Sequence, residues 1–217
     1  MRFDVITLFP EIFEPFLISG VTRRAYESGQ VTVKLWNPRE YAQGNYRRID
    51  DRPFGGGPGM VMMAEPLAAC VEAIRAERGQ DRLTAPLVFF SPIGPTLQHT
   101  AVQKWADSAG AVLLCGRYEG VDQRFIDQYV DQQISLGDFV LSGGEIPAMA
   151  FLDAVTRLPL PLLRACVVWA IEQTIQGGVE TVHLRTVVIV QNARLQTGDG
   201  IQQSHGGDFA SRENIVS

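Results

Sequence analysis

Over its first 157 residues the chain alternates short apolar runs with longer amphipathic stretches, and this alternation restricts the fold more than any other property. Strands are predicted at Phe3–Phe9, Val31–Trp36, Leu87–Ser91, Ala111–Cys115 and Gln133–Ser135. Helices are predicted at Pro10–Ile18, Pro66–Arg78, Leu97–Ser108, Val121–Tyr129 and Gly144–Arg157. Within Pro66–Arg78, Leu67, Cys70, Val71 and Ile74 recur at three- and four-residue spacing, which gives one buried helix face. Strands alternating with helices of this length build a mostly parallel sheet flanked by helices, an α/β fold. Such sheets bind ligands outside the carboxyl ends of their strands, so the loops after the strands are the places to look for chemistry.

Four loops carry the informative residues. Asn45–Met60 joins a charged cluster to Gly55, Gly56, Gly57 and Gly59. Ser91-Pro92-Ile93-Gly94 closes one strand, and Cys115-Gly116-Arg117-Tyr118-Glu119-Gly120 follows another. Leu136–Glu145 is again glycine-rich and leads into the last predicted helix. Glycine lets a backbone turn tightly or approach a ligand closely. Neither GxGxxG after the first strand nor GxxxxGK[ST] is present, so a dinucleotide fold and a P-loop are unsupported. Backbone groups of these loops could hold an adenosine-bearing ligand, with Leu136, Phe139 and Leu141 against the purine; the plain alternative is that they plug the end of the sheet. Arg117, Tyr118 and Glu119 bring a cation, an aromatic face and a carboxylate to one strand end. Charged side chains are seldom buried unless paired, so a structural Arg117–Glu119 ion pair is the competing reading.

Composition narrows the rest. A chain of 217 residues, 46% hydrophobic and 20% charged, can bury a core without disulfides or metals. Cys70, Cys115 and Cys166 are scattered and odd in number, and His99, His183 and His205 cluster with nothing, so no metal site is expected. Met1–Phe9 lacks the pattern of a signal peptide, and Pro159–Ile171 is too short, and broken by Arg164, to span a bilayer. A soluble, cytoplasmic protein with no membrane partner is expected. The net charge of −5 speaks against nucleic acid. Its distribution does not: residues 1–52 carry 8 basic against 7 acidic side chains, with Arg23-Arg24 and Arg39, Arg47, Arg48 and Arg52 grouped. A local basic patch can grip phosphates, and solvated surface arginines are the even alternative.

Taken together, Asn45-Tyr46-Arg47-x-Ile49-Asp50-Asp51-x-Pro53-Phe54-Gly55-Gly56-Gly57-x-Gly59-Met60, Ser91-Pro92-x-Gly94, Leu114–Asp122 with Arg124, and Ser135–Glu145 closely resemble the signature segments of bacterial tRNA (guanine-N1)-methyltransferases. Leu8-Phe9-Pro10-Glu11 and Trp36-Asn37-Pro38-Arg39 fit as well, and the likeness runs in order from Met1 to about Leu158. It implies a knotted (trefoil) methyltransferase of the SPOUT class over residues 1–158, a topology no composition could suggest because chains almost never knot. It implies S-adenosylmethionine as donor, held by Ser91, Pro92 and Gly94, by Gly116, Arg117 and Tyr118, and by Leu136, Gly137, Asp138, Phe139, Val140, Leu141, Gly143 and Gly144. The implied substrate is the guanosine 3′ of the tRNA anticodon, contacted by Arg23, Arg24, Arg47, Asp51, Gly56 and Gly57. The implied active site lies across a homodimer interface. Arg157 matches the arginine that stabilises the guanine oxygen; its plain alternative is a cation placed favourably at a helix C-terminus. Glu119 matches a glutamate near the donor and an Mg2+-dependent step. A non-catalytic dimer that binds the donor without turnover is the rival function.

The resemblance stops where it would supply the general base. In the family an aspartate follows in a linker, ahead of a helical tRNA-binding domain that begins with a Cys-Pro-His-Tyr-like segment. Here Leu158 is followed by Pro159-Leu160-Pro161-Leu162-Leu163, and residues 159–217 contain no lysine. Glu172 falls near the expected position by count, but its neighbours do not match, and the role is not carried over to it. Val179–Val190 is rich in β-branched residues, and Gln191–Ser217 is polar and glycine-bearing, with poor order expected. Residues 159–217 therefore read as a segment in a shifted frame, with a genuine alternative domain as the competitor. Translating the underlying DNA in its other two frames checks this. An aspartate-bearing linker and a Cys-Pro-His-Tyr-like segment should appear in one of them; their absence from both removes the explanation.

Overall fold

The computed structural model describes residues 1–53, 55–79 and 85–158. Residues 159–217, and with them every expectation made for that segment, lie outside the described residues. The elements in chain order are β1 (Arg2–Ile6), α1 (Phe13–Ile18), α2 (Arg23–Glu27), β2 (Thr32–Trp36), β3 (Asp50–Asp51), β4 (Val61–Met62), α3 (Ala64–Arg78), β5 (Leu87–Phe90), α4 (His99–Ala106), β6 (Gly110–Leu114), α5 (Gln123–Tyr129), β7 (Gln132–Ile134) and α6 (Glu145–Arg157). Five strands form one sheet in the order β2-β1-β6-β5-β7, every neighbouring pair parallel. The alternation of apolar runs and helices had predicted this sheet. Three features escaped it: the short α2, a 3-10 turn at Pro38–Tyr41, and the antiparallel β3–β4 pair, of which β3 falls within the Asn45–Met60 loop and β4 just after it.

Strand side chains alternate between two covered faces. On one face Ile6, Trp36, Leu87, Phe89, Val112 and Leu114 pack against Leu67, Cys70, Val71 and Ile74 of α3, the four positions picked out by helical spacing. On the other face Phe151 of α6 is the hub. Its ring meets Phe3 of β1 at 6.0 Å, Phe90 of β5 at 5.8 Å and Trp105 of α4 at 5.5 Å, all edge-on. Edge-to-face contacts suit the aromatic quadrupole and add to the burial of a large ring.

The amino-terminal end of the sheet is closed by charge. Asp4, fully buried, accepts hydrogen bonds from Trp36 Nε1 at 2.8 Å, Arg78 Nε at 2.5 Å and Arg2 Nη2 at 2.8 Å. Arg78 also donates to the carbonyls of Arg2 and Ala111, and Lys34 and Arg2 share Glu77. A buried carboxylate with this many donors is well satisfied, and it ties β1, β2, β6 and α3 together. Gly110 fits the same crowded end: a Cβ there would lie 1.8 Å from the Arg2 carbonyl oxygen, and its φ of +114° suits only glycine.

Burial pushes the Cys70 thiol up to about 12, with the negative charges of Glu40 and Asp4 adding to the effect. A thiol that ionises later in the folded chain contributes stability that is complete below its unfolded value and is lost as pH rises toward the folded one. Raising the pH from about 8 to about 10.5 should therefore cost the native chain about 2 kcal/mol more than it costs Cys70→Ala. Urea unfolding midpoints of the two proteins at both pH values measure this. Equal losses would show that Cys70 does not titrate in that window.

Candidate active site

At the opposite, carboxyl end of the sheet the strands give way to loops. Beyond β5, Ser91 N–H donates to the Ile134 carbonyl at 3.0 Å and Gly94 N–H turns back to Ser91 O at 3.2 Å. Gly94 lies against β7, where a Cβ would come within 2.8 Å of the Gln133 and Ile134 backbone. Beyond β6, Cys115 N–H continues the ladder to Ile6 O, and Gly116 then faces the Phe89 ring. Tyr118 has a φ of +58°, which turns the chain sharply before Glu119. Beyond β7, Ser135 Oγ clasps Gly137, and Gly144 N–H donates to Gly116 O at 2.9 Å. A Cβ on Gly144 would lie 2.6 Å from Cys115 Cα, so only glycine lets the start of α6 rest on the end of β6.

These loops line a cleft of about 200 Å³, partly open to solvent. Of the positions assigned to the donor from sequence, Ser91, Pro92, Gly116, Arg117, Tyr118, Leu136, Gly137, Phe139, Val140, Leu141, Gly143 and Gly144 line it. Gly94 and Asp138 do not; Gly94 packs behind the wall and Asp138 is exposed. Phe89, Phe90, Ile134 and Pro147 add apolar wall that sequence reasoning had not selected.

Arg117 does not pair with Glu119. Its Nε lies 2.8 Å from Oε2 of Glu145, the first residue of α6. The N–H does not point at that oxygen, so the contact is a charge pair rather than an aligned hydrogen bond, and both atoms are buried without a hydrogen-bond partner among the described residues. The guanidinium also stacks 4.5 Å from the Phe9 ring centre and donates from Nη1 to Ser142 O at 3.2 Å. Glu145 is 1% exposed, and its other oxygen accepts from Thr7 Oγ1 at 2.9 Å. The Cys115 thiol, fully enclosed behind this pair, is raised well above its ordinary range by burial first and by Glu145 second. Glu145 and Phe9 both fall in segments that carry the family likeness, and Glu145 is also an acidic residue in a first helical turn, but neither was singled out as a site residue; Thr7 carries no signal.

Glu119 also lines the cleft, but its carboxylate is engaged elsewhere. It accepts from Met60 N–H at 2.6 Å, while its own N–H donates to Met60 O at 3.0 Å. The φ of Gly59 is +82°, and a Cβ there would collide with the Glu119 carboxylate. Glu119 thus anchors the glycine loop that holds Gly56 and Gly57, both exposed. Arg23, Arg24, Arg47 and Asp51 are exposed too; Arg23 pairs with Glu27 at 3.3 Å, and Arg48 with Asp51 at 3.1 Å. Arg157 pairs with Asp153 at 2.8 Å near the far end of α6. Ten helical steps from Pro147, the last α6 residue that lines the cleft, put it roughly 15 Å away. One chain does not bring Arg157 to its own cleft.

A parallel α/β sheet whose strand ends open into a backbone-lined cleft beside a buried Arg–Glu pair defines an α/β protein with room for a small ligand at the carboxyl edge of its sheet. Comparison with known proteins makes this specific. The family model described as tRNA (Guanine-1)-methyltransferase TrmD matches residues 1–164, and the chain belongs to this family. A tRNA (guanine-N(1)-)-methyltransferase of Paracidovorax citrulli is 74% identical over 159 residues, 73% of this chain and 62% of the relative. One of Albidiferax ferrireducens is 68% identical over 165 residues, 76% of this chain and 65% of the relative. The solved tRNA (m1G37) methyltransferase from Aquifex aeolicus superimposes with a TM-score of 0.65 at 37% identity, covering 73% of this chain and 69% of that one. The chain spans about three fifths of the length of the curated relatives it matches. No helix among the described residues is long and apolar enough to cross a membrane.

Because Gly144 abuts backbone, Gly144→Ala has no flexible neighbour to displace. We expect it to cost about 1–3 kcal/mol of stability by overpacking, read as a lower urea midpoint at unchanged slope. An unaltered midpoint would mean that α6 and β6 are not in contact.

Proposed function

We propose that the chain transfers the methyl group of S-adenosylmethionine to N1 of the guanosine directly 3′ of the tRNA anticodon. The observation that supports this reading is the convergence of three separate loops, Ser91–Pro92, Gly116–Gly120 and Leu136–Gly144, on one cleft at the carboxyl ends of β5, β6 and β7. The cleft fits the donor by its chemistry. Leu136, Phe139 and Leu141 offer apolar contact to a purine, and the glycine-rich backbone allows close approach. The trefoil knot is part of this proposal and rests on the family likeness; the connection from β7 at the sheet edge crosses to β6 at Gly116, with β5 between them.

When bound, S-adenosylmethionine supplies an electrophilic methyl on a sulfonium. The protein's tasks are to align that methyl with N1, to accept the N1 proton and to stabilise charge developing on O6. The cleft walls perform the first. Arginine suits the third, and we assign it to Arg157. Since Arg157 lies roughly 15 Å along α6 beyond the last residue of its own cleft wall, we assign it to the cleft of a second copy, which makes the working unit a homodimer. The exposed Arg23, Arg24 and Arg47, with Asp51, Gly56 and Gly57, form the tRNA-facing set, and Glu119 keeps the glycine loop in place for it. No residue between 1 and 158 is assigned the proton. No three His, Cys, Asp or Glu side chains converge among the described residues, and the Glu119 carboxylate is occupied by Met60 N–H; the site does not fit a bound Mg2+, and no step is routed through one.

The test uses the full chain, labelled S-adenosylmethionine and unmodified tRNA transcripts that differ only in the base 3′ of the anticodon. Label should pass to the guanosine transcript and not to its adenosine counterpart. Arg157→Ala should lower transfer at least tenfold while leaving donor affinity within about twofold, as expected for a group acting only in the transition state. Donor binding without transfer would replace this reading with a non-catalytic donor-binding dimer, and transfer to both transcripts would remove the guanine assignment.

A further inference from the structure

The buried Arg117–Glu145 pair has no place in the steps above. Buried ion pairs stabilise little relative to apolar packing, because desolvation offsets their attraction. This one is poorly aligned as well: Arg117 Nε and Glu145 Oε2 sit 2.8 Å apart with neither making a hydrogen bond. Packing therefore does not account for it; its charge does. Arg117 lines the cleft, and so do Gly143, Gly144 and Pro147 at the start of α6. The cleft thus faces one full positive charge and the positive end of a 13-residue helix. A ligand whose reacting centre is a sulfonium would be repelled by both.

We propose that Glu145 is a specificity-determining residue that neutralises this wall, so that the cleft admits a cationic sulfonium as readily as a neutral thioether. The inference rests on the donor reading of the cleft. Glu145 is suited to the task by position and by restraint. As the first residue of α6 it offsets the helix N-terminus directly. Its carboxylate is fixed from behind by Thr7 Oγ1, which itself accepts from Phe9 N–H at 3.0 Å. The Phe9 ring covers the guanidinium, and Gly143 leaves the gap through which the Arg117 side chain runs, since a Cβ there would lie 2.5 Å from Nε. Glu145 acts through the field it sets and through Arg117; it is not among the residues that line the cleft.

The experiment compares the affinities of S-adenosylmethionine and S-adenosylhomocysteine, which differ in the methyl and its positive charge, by calorimetry on the full chain. Glu145→Gln keeps the side chain's shape and removes its charge. It should weaken S-adenosylmethionine roughly fivefold or more relative to S-adenosylhomocysteine, the effect of one uncompensated charge across a partly solvated gap. Arg117→Gln should move the same ratio in the opposite direction. Added salt should shrink both shifts. The ratio is read only from protein with native circular dichroism, and either variant decides alone if the other does not fold. A Glu145→Gln variant that weakens both ligands equally, or neither, overturns the proposal and leaves Glu145 a structural residue. Failure of the unaltered chain to bind either ligand would instead overturn the donor reading of the cleft.

Discussion

The cleft depends on how the first turn of α6 is seated. Gly144 rests on the backbone of Cys115 and Gly116 with no room for a Cβ, and the next residue turns its carboxylate inward to Thr7 and Arg117. Three elements distant in sequence, the end of β1, the loop after β6 and the start of α6, are thereby joined over a few ångströms. The aromatic hub at Phe151, two turns further along α6, holds the rest of that helix against β1, β5 and α4. Without the small residues at 143 and 144 the helix would stand off the sheet. Leu136–Ser142 would then lose one of the two supports that shape it as a wall.

Much of this was legible because the elements that build the sheet are long enough to show a period. β1, β2, β5 and β6 are apolar runs bounded by turns, and α3 displays its buried face in Leu67, Cys70, Val71 and Ile74. The β3–β4 pair was not legible: two-residue strands have no period, and their pairing is set by the loop between them. The loops that line the cleft were legible by motif likeness, since glycine content alone favours a plugged sheet end. The partner of Arg117 was not legible, and an Arg117–Glu119 pair stood only as the competing reading. Glu119, two residues away, looked the natural counter-ion. The left-handed backbone at Tyr118 turns Glu119 toward Met60, while the true partner lies 28 positions on, across the mouth of the sheet. Sequence spacing predicts side-chain neighbours on helices and strands, not across a turn with positive φ.

The two ends of the sheet solve the problem of buried charge differently. At the amino end, Asp4 gathers Trp36, Arg2 and Arg78 into a network in which each Asp4 oxygen has donors of good geometry. That end is closed, and its charges serve cohesion. At the carboxyl end, Glu145 and Arg117 face one another without an aligned hydrogen bond. A fold able to satisfy a buried carboxylate fully at one pole has left its counterpart looser at the other. Loosely satisfied buried charge is a cost to stability, and such costs concentrate where function requires a field rather than a bond.

The same polarity bears on assembly. α6 begins at the cleft and carries Arg157 to its other end, so a single helix presents a cleft wall and, roughly 15 Å beyond Pro147, a cation whose salt-bridge partner among the described residues is Asp153. A helix is too stiff to bring its two ends together. If both ends take part in one reaction, the site must be completed by a second molecule, whatever the surface through which the copies meet. On the proposed reading, the field set by Glu145 and the charge supplied by Arg157 are separable properties, the first belonging to a lone protomer and the second to an assembled pair. Ligand binding would then survive where transfer does not, because Arg117, Glu145 and the cleft wall all belong to one chain.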